Sequence, residues 1–188
     1  HKVSFSMITH EALTEAQKSA KQAAYDVALF DQQGCLSPQL MYVEDNGAVS
    51  PKEFAALLAT ALEDWQTTLP RGQVSPAVST EIRRVRDEAE WQALAGKGVE
   101  VYASLQGTEW TVIYEADPTF IPSPLYRTVR VKPLSSFEQL GVLLMPWQPY
   151  LEAVGTLVPT AQPRRETLLE VLGRSGVSRI CPIGTMQT

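Results

Sequence analysis

The sequence from Val3 to Val43 reads VSFSMITHEALTEAQKSAKQAAYDVALFDQQGCLSPQLMYV. Apolar residues alternate with serines over residues 3–7, which predicts a half-buried strand. A helix is predicted next over residues 14–30, from a capping box that starts at Thr14, with small residues at steps of three and four on its inner face. A second strand follows at residues 40–43. Because strand, helix and strand in succession build a parallel sheet, this stretch predicts an α/β fold.

The alternation of strands and helices continues along the rest of the chain. The strongest helix signal is Ser50-Pro51-Lys52-Glu53, which places serine as N-cap, proline in the first turn and glutamate at the third position. Further helices are predicted at 75–91, 135–145 and 164–172, a hairpin at 99–115, and strands at 128–131, 153–158 and 177–183. The predicted architecture is a three-layer α/β/α sandwich around a largely parallel sheet, with one hairpin inserted.

Composition argues against several classes of protein. The chain has 188 residues, of which 44% are hydrophobic and 20% charged, so it can form one well-cored domain rather than a disordered segment. No apolar run reaches the roughly 18 residues of a membrane span, and we expect no membrane partner. The net charge of −5 argues against a nucleic-acid partner. Two cysteines are too few for a disulfide scaffold and fit a reducing, cytoplasmic location.

The segment most typical of a functional site is residues 30–39, FDQQGCLSPQ. Cys35 follows Gly34 at the exit of the predicted helix, where the backbone can approach a ligand closely. A thiol attacks as the thiolate, and a free thiol has a pKa of about 8.5, so reactivity requires a field such as that of backbone N–H groups at a helix start. The same groups can hold an oxyanion. From the residues alone, Cys35 is either a nucleophile or a small buried hydrophobe.

Residues 30–39 resemble the active-site stretch of the bacterial acyl-CoA reductases, the fatty acid reductases first associated with bioluminescence, within the aldehyde dehydrogenase superfamily. Tyr42-Val43-Glu44 and the closing residues 178–184 (SRICPIG) resemble the same family, and the likeness runs along essentially the whole chain. The resemblance implies an aldehyde dehydrogenase-like catalytic domain over residues 1–188, with Cys35 as the nucleophile. The implied substrate-binding residues are its neighbours Gln33, Gly34, Leu36 and Ser37.

The resemblance also implies a reaction in two steps. The Cys35 thiolate would take the acyl group of an acyl-CoA substrate, and hydride from NADPH or NADH would then give the aldehyde. The backbone N–H of Cys35 resembles the main-chain oxyanion donor of the superfamily, whereas the usual asparagine partner has no counterpart in this chain.

The nucleotide-binding domain is expected to be absent from the chain. No Gly-rich phosphate loop follows a predicted strand, and residues 121–125 lack the glutamate that holds the nicotinamide ribose in the superfamily. No cofactor-binding residue is therefore assigned. Because the chain begins at His1 without an initiator methionine, we expect a piece of a longer protein whose other domain is its partner.

Two other functions stay open. The chain could belong to an acyl-phosphate reductase of the same superfamily, or it could be a non-catalytic oligomerisation module, and a homodimer through an edge strand fits either. Cys181 is expected to be buried packing. His10 has no second histidine at ligand spacing, so no metal is expected. The arginines at 83, 84 and 86 are interpreted as a solvated helix face, because acidic residues surround them.

Overall fold

The computed structural model describes residues 2–187. Its elements in chain order are β1 (Val3–Ile8), α1 (His10–Leu13), α2 (Ala16–Ala28), β2 (Pro38–Glu44), α3 (Pro51–Thr68), α4 (Pro76–Leu94), β3 (Val99–Ala103), β4 (Thr111–Glu115), β5 (Thr128–Leu134), α5 (Phe137–Leu144), β6 (Leu151–Thr156), α6 (Gln162–Arg174) and β7 (Arg179–Cys181). The strands form one sheet in the order β3-β4-β5-β2-β1-β6-β7. All neighbouring strands are parallel except β3 and β4, which form the predicted antiparallel hairpin.

Helices cover both faces of this sheet, which confirms the predicted three-layer sandwich. On one face α2 and α3 pack against side chains such as Met41 and Val131. On the other face α5 and α6 pack against Phe5 and Tyr42, and α4 covers Ile113 near the hairpin. The central strands are buried on both faces, as expected for a parallel sheet. No helix within residues 2–187 combines the length and the apolar character needed to cross a membrane.

Strand β1 is buried on both faces, so the predicted half-buried strand was wrong. Ser4 and Ser6 are completely buried. The Ser6 hydroxyl donates to the sulfur of Met186 at 3.6 Å, and Ser4 contacts the loop that carries Cys35. The serines are small residues on a second buried face, where they leave room for chain that returns to the sheet after β7. The alternation of apolar residues and serines therefore separates large buried side chains from small buried ones. It does not separate buried residues from exposed ones.

One of the two predicted capping boxes exists. The Glu53 N–H donates to Ser50 Oγ at 3.2 Å, and the Ser50 N–H donates to the Glu53 carboxylate at 2.7 Å. The capping box predicted at Thr14 is wrong, because Thr14 ends α1, a short helix that the sequence did not reveal. Its hydroxyl donates to the Glu11 carbonyl at 2.8 Å, and α2 begins at Ala16 without a side-chain cap.

The interpretation of the α4 arginines as a solvated face is only partly correct. Arg84 is exposed and pairs with Glu81 and Glu88 on the same helix. Arg86 instead turns inward and donates to Thr111 Oγ1 at 2.8 Å and to the Gly107 carbonyl at 2.9 Å. It therefore ties α4 to the hairpin, which the pattern of charges along one helix cannot show.

Candidate active site

Cys35 lies in the loop between α2 and β2, at the edge of the sheet where β2 and β5 begin. Its side chain is exposed, so it is not a small buried hydrophobe. Cys181 is 6% exposed, and its thiol donates to the Val154 carbonyl at 3.6 Å. This burial confirms its interpretation as packing, and it also raises the pKa of the Cys181 thiol. The two thiols therefore differ in access to solvent and reagents.

The residues around the thiol form a tight turn. Cys35 and Leu36 are its central residues, and the N–H of Ser37 closes it on the carbonyl of Gly34 at 3.0 Å. Within residues 2–187, the N–H groups of Cys35 and Leu36 donate to no protein acceptor. Strand β2 follows this turn, so no helix N-terminus supplies N–H groups directly after Cys35. The available main-chain donors are those of the turn itself, an arrangement that favours anions.

The loop starts with three consecutive residues in the left-handed region. The φ angles of Phe30, Asp31 and Gln32 are 53°, 52° and 62°. Non-glycine residues adopt this conformation rarely, and each costs on the order of 1–3 kcal/mol, so other contacts must hold it. A second left-handed run, residues 125–127, precedes β5 with φ angles of 70°, 53° and 60°.

Arg127 joins the two left-handed runs. Its side chain is 1% exposed, and its Nε and Nη2 lie 2.9 and 2.7 Å from Oδ1 of Asp31. The other guanidinium N–H groups donate to Gln66 Oε1 at 3.0 Å and to the carbonyls of Leu69 and Ala28 at 2.9 and 3.0 Å. Burial lowers the pKa of Arg127, and the Asp31 carboxylate opposes that shift. This buried cation therefore fixes the backbone that leads into the Cys35 turn.

Gln32 aligns the strands on either side of the loop. Its side chain is fully buried. The side-chain amide donates to the Pro38 carbonyl at 2.8 Å, and Gln32 Oε1 accepts the Thr128 N–H at 3.0 Å. The first residues of β2 and β5 are thus bonded to one side chain that lies three residues before Cys35.

The turn is also held from β1 and from the end of the chain. The Ser4 hydroxyl donates to the Cys35 carbonyl at 2.8 Å and accepts the Ala153 N–H at 3.1 Å. The side-chain amide of Gln187 donates to the Ser37 hydroxyl. A Cβ added at Gly34 would lie 2.8 Å from the Gln187 amide nitrogen, so glycine fits the close approach at this position.

The four residues predicted to bind substrate do not all face outward with Cys35. Gln33 is exposed and Gly34 is half-buried. Leu36 packs against the cluster that contains Cys181 and Met186, and Ser37 is 1% exposed. Leu36 and Ser37 therefore contribute to the base of the turn, whereas Gln33 and Cys35 form its outer surface.

Several residues of the site were not predicted. They are residues whose contacts hold the loop and the turn in place: Ser4, Asp31, Arg127 and Gln187. Of these, Asp31 stands within residues 30–39, the segment most typical of a functional site. The others are separated from Cys35 by many residues or carry no local pattern, so only the folded chain brings them to the loop.

No dinucleotide phosphate fits the first strand–helix turn, where the phosphate lies in dinucleotide-binding folds. The N–H of His10, the first residue of α1, already donates to the Glu44 carboxylate at 2.7 Å. Glu11 adds a second carboxylate, and Arg164 neutralises both through bonds at 2.9 and 2.7 Å. A phosphate would have to displace these carboxylates. A cavity of about 990 Å³ lies between α3 and β3, and Cys35 does not line it.

Comparisons with known proteins agree with this fold. A family model described as "Acyl-CoA reductase (LuxC)" matches residues 1–188. No curated protein matches the chain.

The similar solved structures include several aldehyde dehydrogenases. An NAD-dependent aldehyde dehydrogenase from Burkholderia multivorans is 18% identical with a TM-score of 0.67, over 100% of this chain and 36% of that one. Delta-pyrroline-5-carboxylate dehydrogenase from Mycobacterium tuberculosis, bound with NAD and cobalamin, is 12% identical with a TM-score of 0.68, over 100% and 35%. Aldehyde dehydrogenase 21 from Physcomitrella patens, in complex with succinate, is 13% identical with a TM-score of 0.65, over 100% and 39%. The chain thus has the fold of one part of these proteins and spans little more than a third of their length.

Proposed function

The chain belongs to the acyl-CoA reductase family, and from this membership we propose that it is the nucleophile-bearing catalytic domain of a nicotinamide-dependent acyl-CoA reductase. The observation that carries the proposal is the exposed Cys35 in a turn whose central N–H groups have no described protein acceptor. Contacts from several elements hold this turn, as positioning a reacting atom requires.

The reaction of this chain is a thioester exchange. The Cys35 thiolate attacks the carbonyl carbon of the acyl-CoA, and the carbonyl oxygen becomes an oxyanion that the Cys35 N–H stabilises. When the intermediate collapses, the bond from carbon to the CoA sulfur breaks, and CoA leaves as a thiolate that takes a proton from water. The acyl group is then held as a thioester on Cys35. The asparagine donor that is usual in the superfamily has no counterpart in this chain, and loss of one oxyanion donor costs about 3 kcal/mol, so we expect slow acylation.

In this proposal the nicotinamide cofactor is bound outside this chain. The β1–α1 turn is closed by carboxylates and offers no phosphate cradle. The chemistry of residues 1–188 therefore ends at the acyl-enzyme, and a second domain of the same protein would bind NADPH or NADH. The unpaired thiol that the reaction requires fits a reducing, cytoplasmic location.

The proposal is tested by comparing acyl donors. The chain is incubated with excess acyl-CoA, released CoA is measured by chromatography, and the protein is weighed intact. We expect one equivalent of CoA and one added acyl mass for the wild type and for Cys181→Ser, and neither for Cys35→Ser.

The other outcomes separate the alternatives. If acyl phosphate acylates Cys35 and acyl-CoA does not, the chain is an acyl-phosphate reductase domain and our proposal is wrong. If neither donor acylates Cys35 and mild alkylating reagents leave it unmodified in the folded chain, the chain is a non-catalytic module.

A further inference from the structure

The chain after β7 returns to the nucleophile loop. We call residues 182–187 the returning segment. It runs along the sheet face that carries Ser6 and Gly155, where Met186 is fully buried and its sulfur accepts the Ser6 hydroxyl. A Cβ added at Gly155 would lie 2.6 Å from the Met186 sulfur, so the segment is seated closely on the strand. It reaches Ser37 through the side chain of Gln187.

Asp26 anchors the returning segment to α2. Its side chain is fully buried, and its two carboxylate oxygens accept the N–H of Gly184 at 2.6 Å and the N–H of Met186 at 3.0 Å. Burial raises the pKa of Asp26 to about 6, and the two N–H bonds oppose that shift. Because an unpartnered buried carboxylate would be costly, both bonds define where the segment can lie.

The returning segment links α2 to the turn that carries the thiol. Asp26 fixes Met186, and the next residue, Gln187, contacts both Gly34 and Ser37 on either side of Cys35 and Leu36. We infer that Asp26 is a positioning residue for Cys35, which it places through the returning segment and Gln187. The inference rests on the proposed role of Cys35 as the acyl acceptor.

The inference is tested by a double-mutant cycle. Asp26→Asn replaces one acceptor oxygen by a donor, and Gln187→Ala removes the contact with the turn without changing a buried charge. The rate constant of Cys35 acylation at saturating acyl-CoA should fall about 10-fold in each variant, because small displacements of a reacting group cost this much or more. The double variant should be no slower than the slower single variant, since both act through one path.

Ser19→Ala is the matched control. Ser19 lies on α2, is 6% exposed and donates its hydroxyl to the Ala12 carbonyl of α1 at 2.7 Å, so its side-chain hydrogen bond is not made to the returning segment. It should leave the acylation rate within about 2-fold of the wild type when all variants are compared well below their unfolding temperatures. If the effects of Asp26→Asn and Gln187→Ala multiply to about 100-fold, the two residues act independently and the inference is wrong.

Amide hydrogen exchange gives a readout that needs no activity. The peptide that covers residues 30–37 should exchange several-fold faster in Asp26→Asn and in Gln187→Ala, and at the wild-type rate in Ser19→Ala. Unchanged exchange of this peptide in Gln187→Ala overturns the inference even if Asp26→Asn does not fold. If exchange of the loop becomes faster as expected but the wild type never acylates Cys35, the proposed function is wrong. The role of Asp26 and Gln187 in holding the loop is then still supported.

Discussion

Replacing Arg127 by methionine should loosen the loop that carries Cys35. The substitution keeps much of the side-chain volume and removes the guanidinium, which is 1% exposed and bonds Asp31, Gln66 and two backbone carbonyls. Removing one partner of a buried ion pair costs about 3–5 kcal/mol. Because the Asp31 side chain is 21% exposed and water can reach it, we expect a loss near the lower end, about 3 kcal/mol.

The assay is urea unfolding followed by tryptophan fluorescence. A domain of this size is stable by about 5–15 kcal/mol, so the variant should still fold. Without Arg127 the left-handed residues lose their main contact, and the rate of Cys35 alkylation by iodoacetamide should change as well. Arg84→Met, which removes an exposed arginine, is the control and should leave both measurements unchanged. A variant as stable as the wild type, with unaltered Cys35 alkylation, would refute the role given to Arg127.

Further predictions concern the returning segment and its anchor. Gly155→Ala should destabilise the chain by about 1–3 kcal/mol in urea unfolding, because the new Cβ overlaps Met186, whereas Gly173→Ala in α6 meets nothing within 4 Å and should stabilise it by up to about 1 kcal/mol. The pKa of Asp26 is about 6 in the folded chain and about 3.8 in the unfolded chain, so the folded state binds more protons between these values. Stability from this group is present below pH 4 and is lost as the pH rises through 6, by about 3 kcal/mol. The free energy of unfolding of Asp26→Asn should therefore fall less than that of the wild type between pH 4 and pH 7, and parallel curves would contradict this.

The order and type of most elements could be predicted from local patterns. The capping box at Ser50 and the hairpin signals depend on neighbours in sequence, and the structure confirms both. The sequence also predicts strand β1, but it does not predict that both faces of β1 are buried. When only one strand is considered, serines at positions 4 and 6 indicate a solvent-exposed face. In the folded chain the returning segment covers that face.

For the candidate site, the sequence predicts Cys35 as the nucleophile but does not predict the residues that hold its turn in place. Cys35 stands in a stretch whose residues resemble a known family, so the sequence alone predicts it as the nucleophile. Arg127 and Asp26 act through contacts with residues 96 and 158 positions away, which no local pattern encodes. The left-handed conformation of residues 30–32 was also not predictable, because none of them is a glycine.

The most direct test of the central claim is to map where the acyl group binds. The chain is treated with acyl-CoA, digested and sequenced by mass spectrometry, with hydroxylamine used to release thioesters. We predict a hydroxylamine-sensitive acyl group on the peptide that contains Cys35 and none on the peptide that contains Cys181. An acyl group found on Cys181, or only on lysine residues, would contradict the claim that Cys35 is the acyl acceptor.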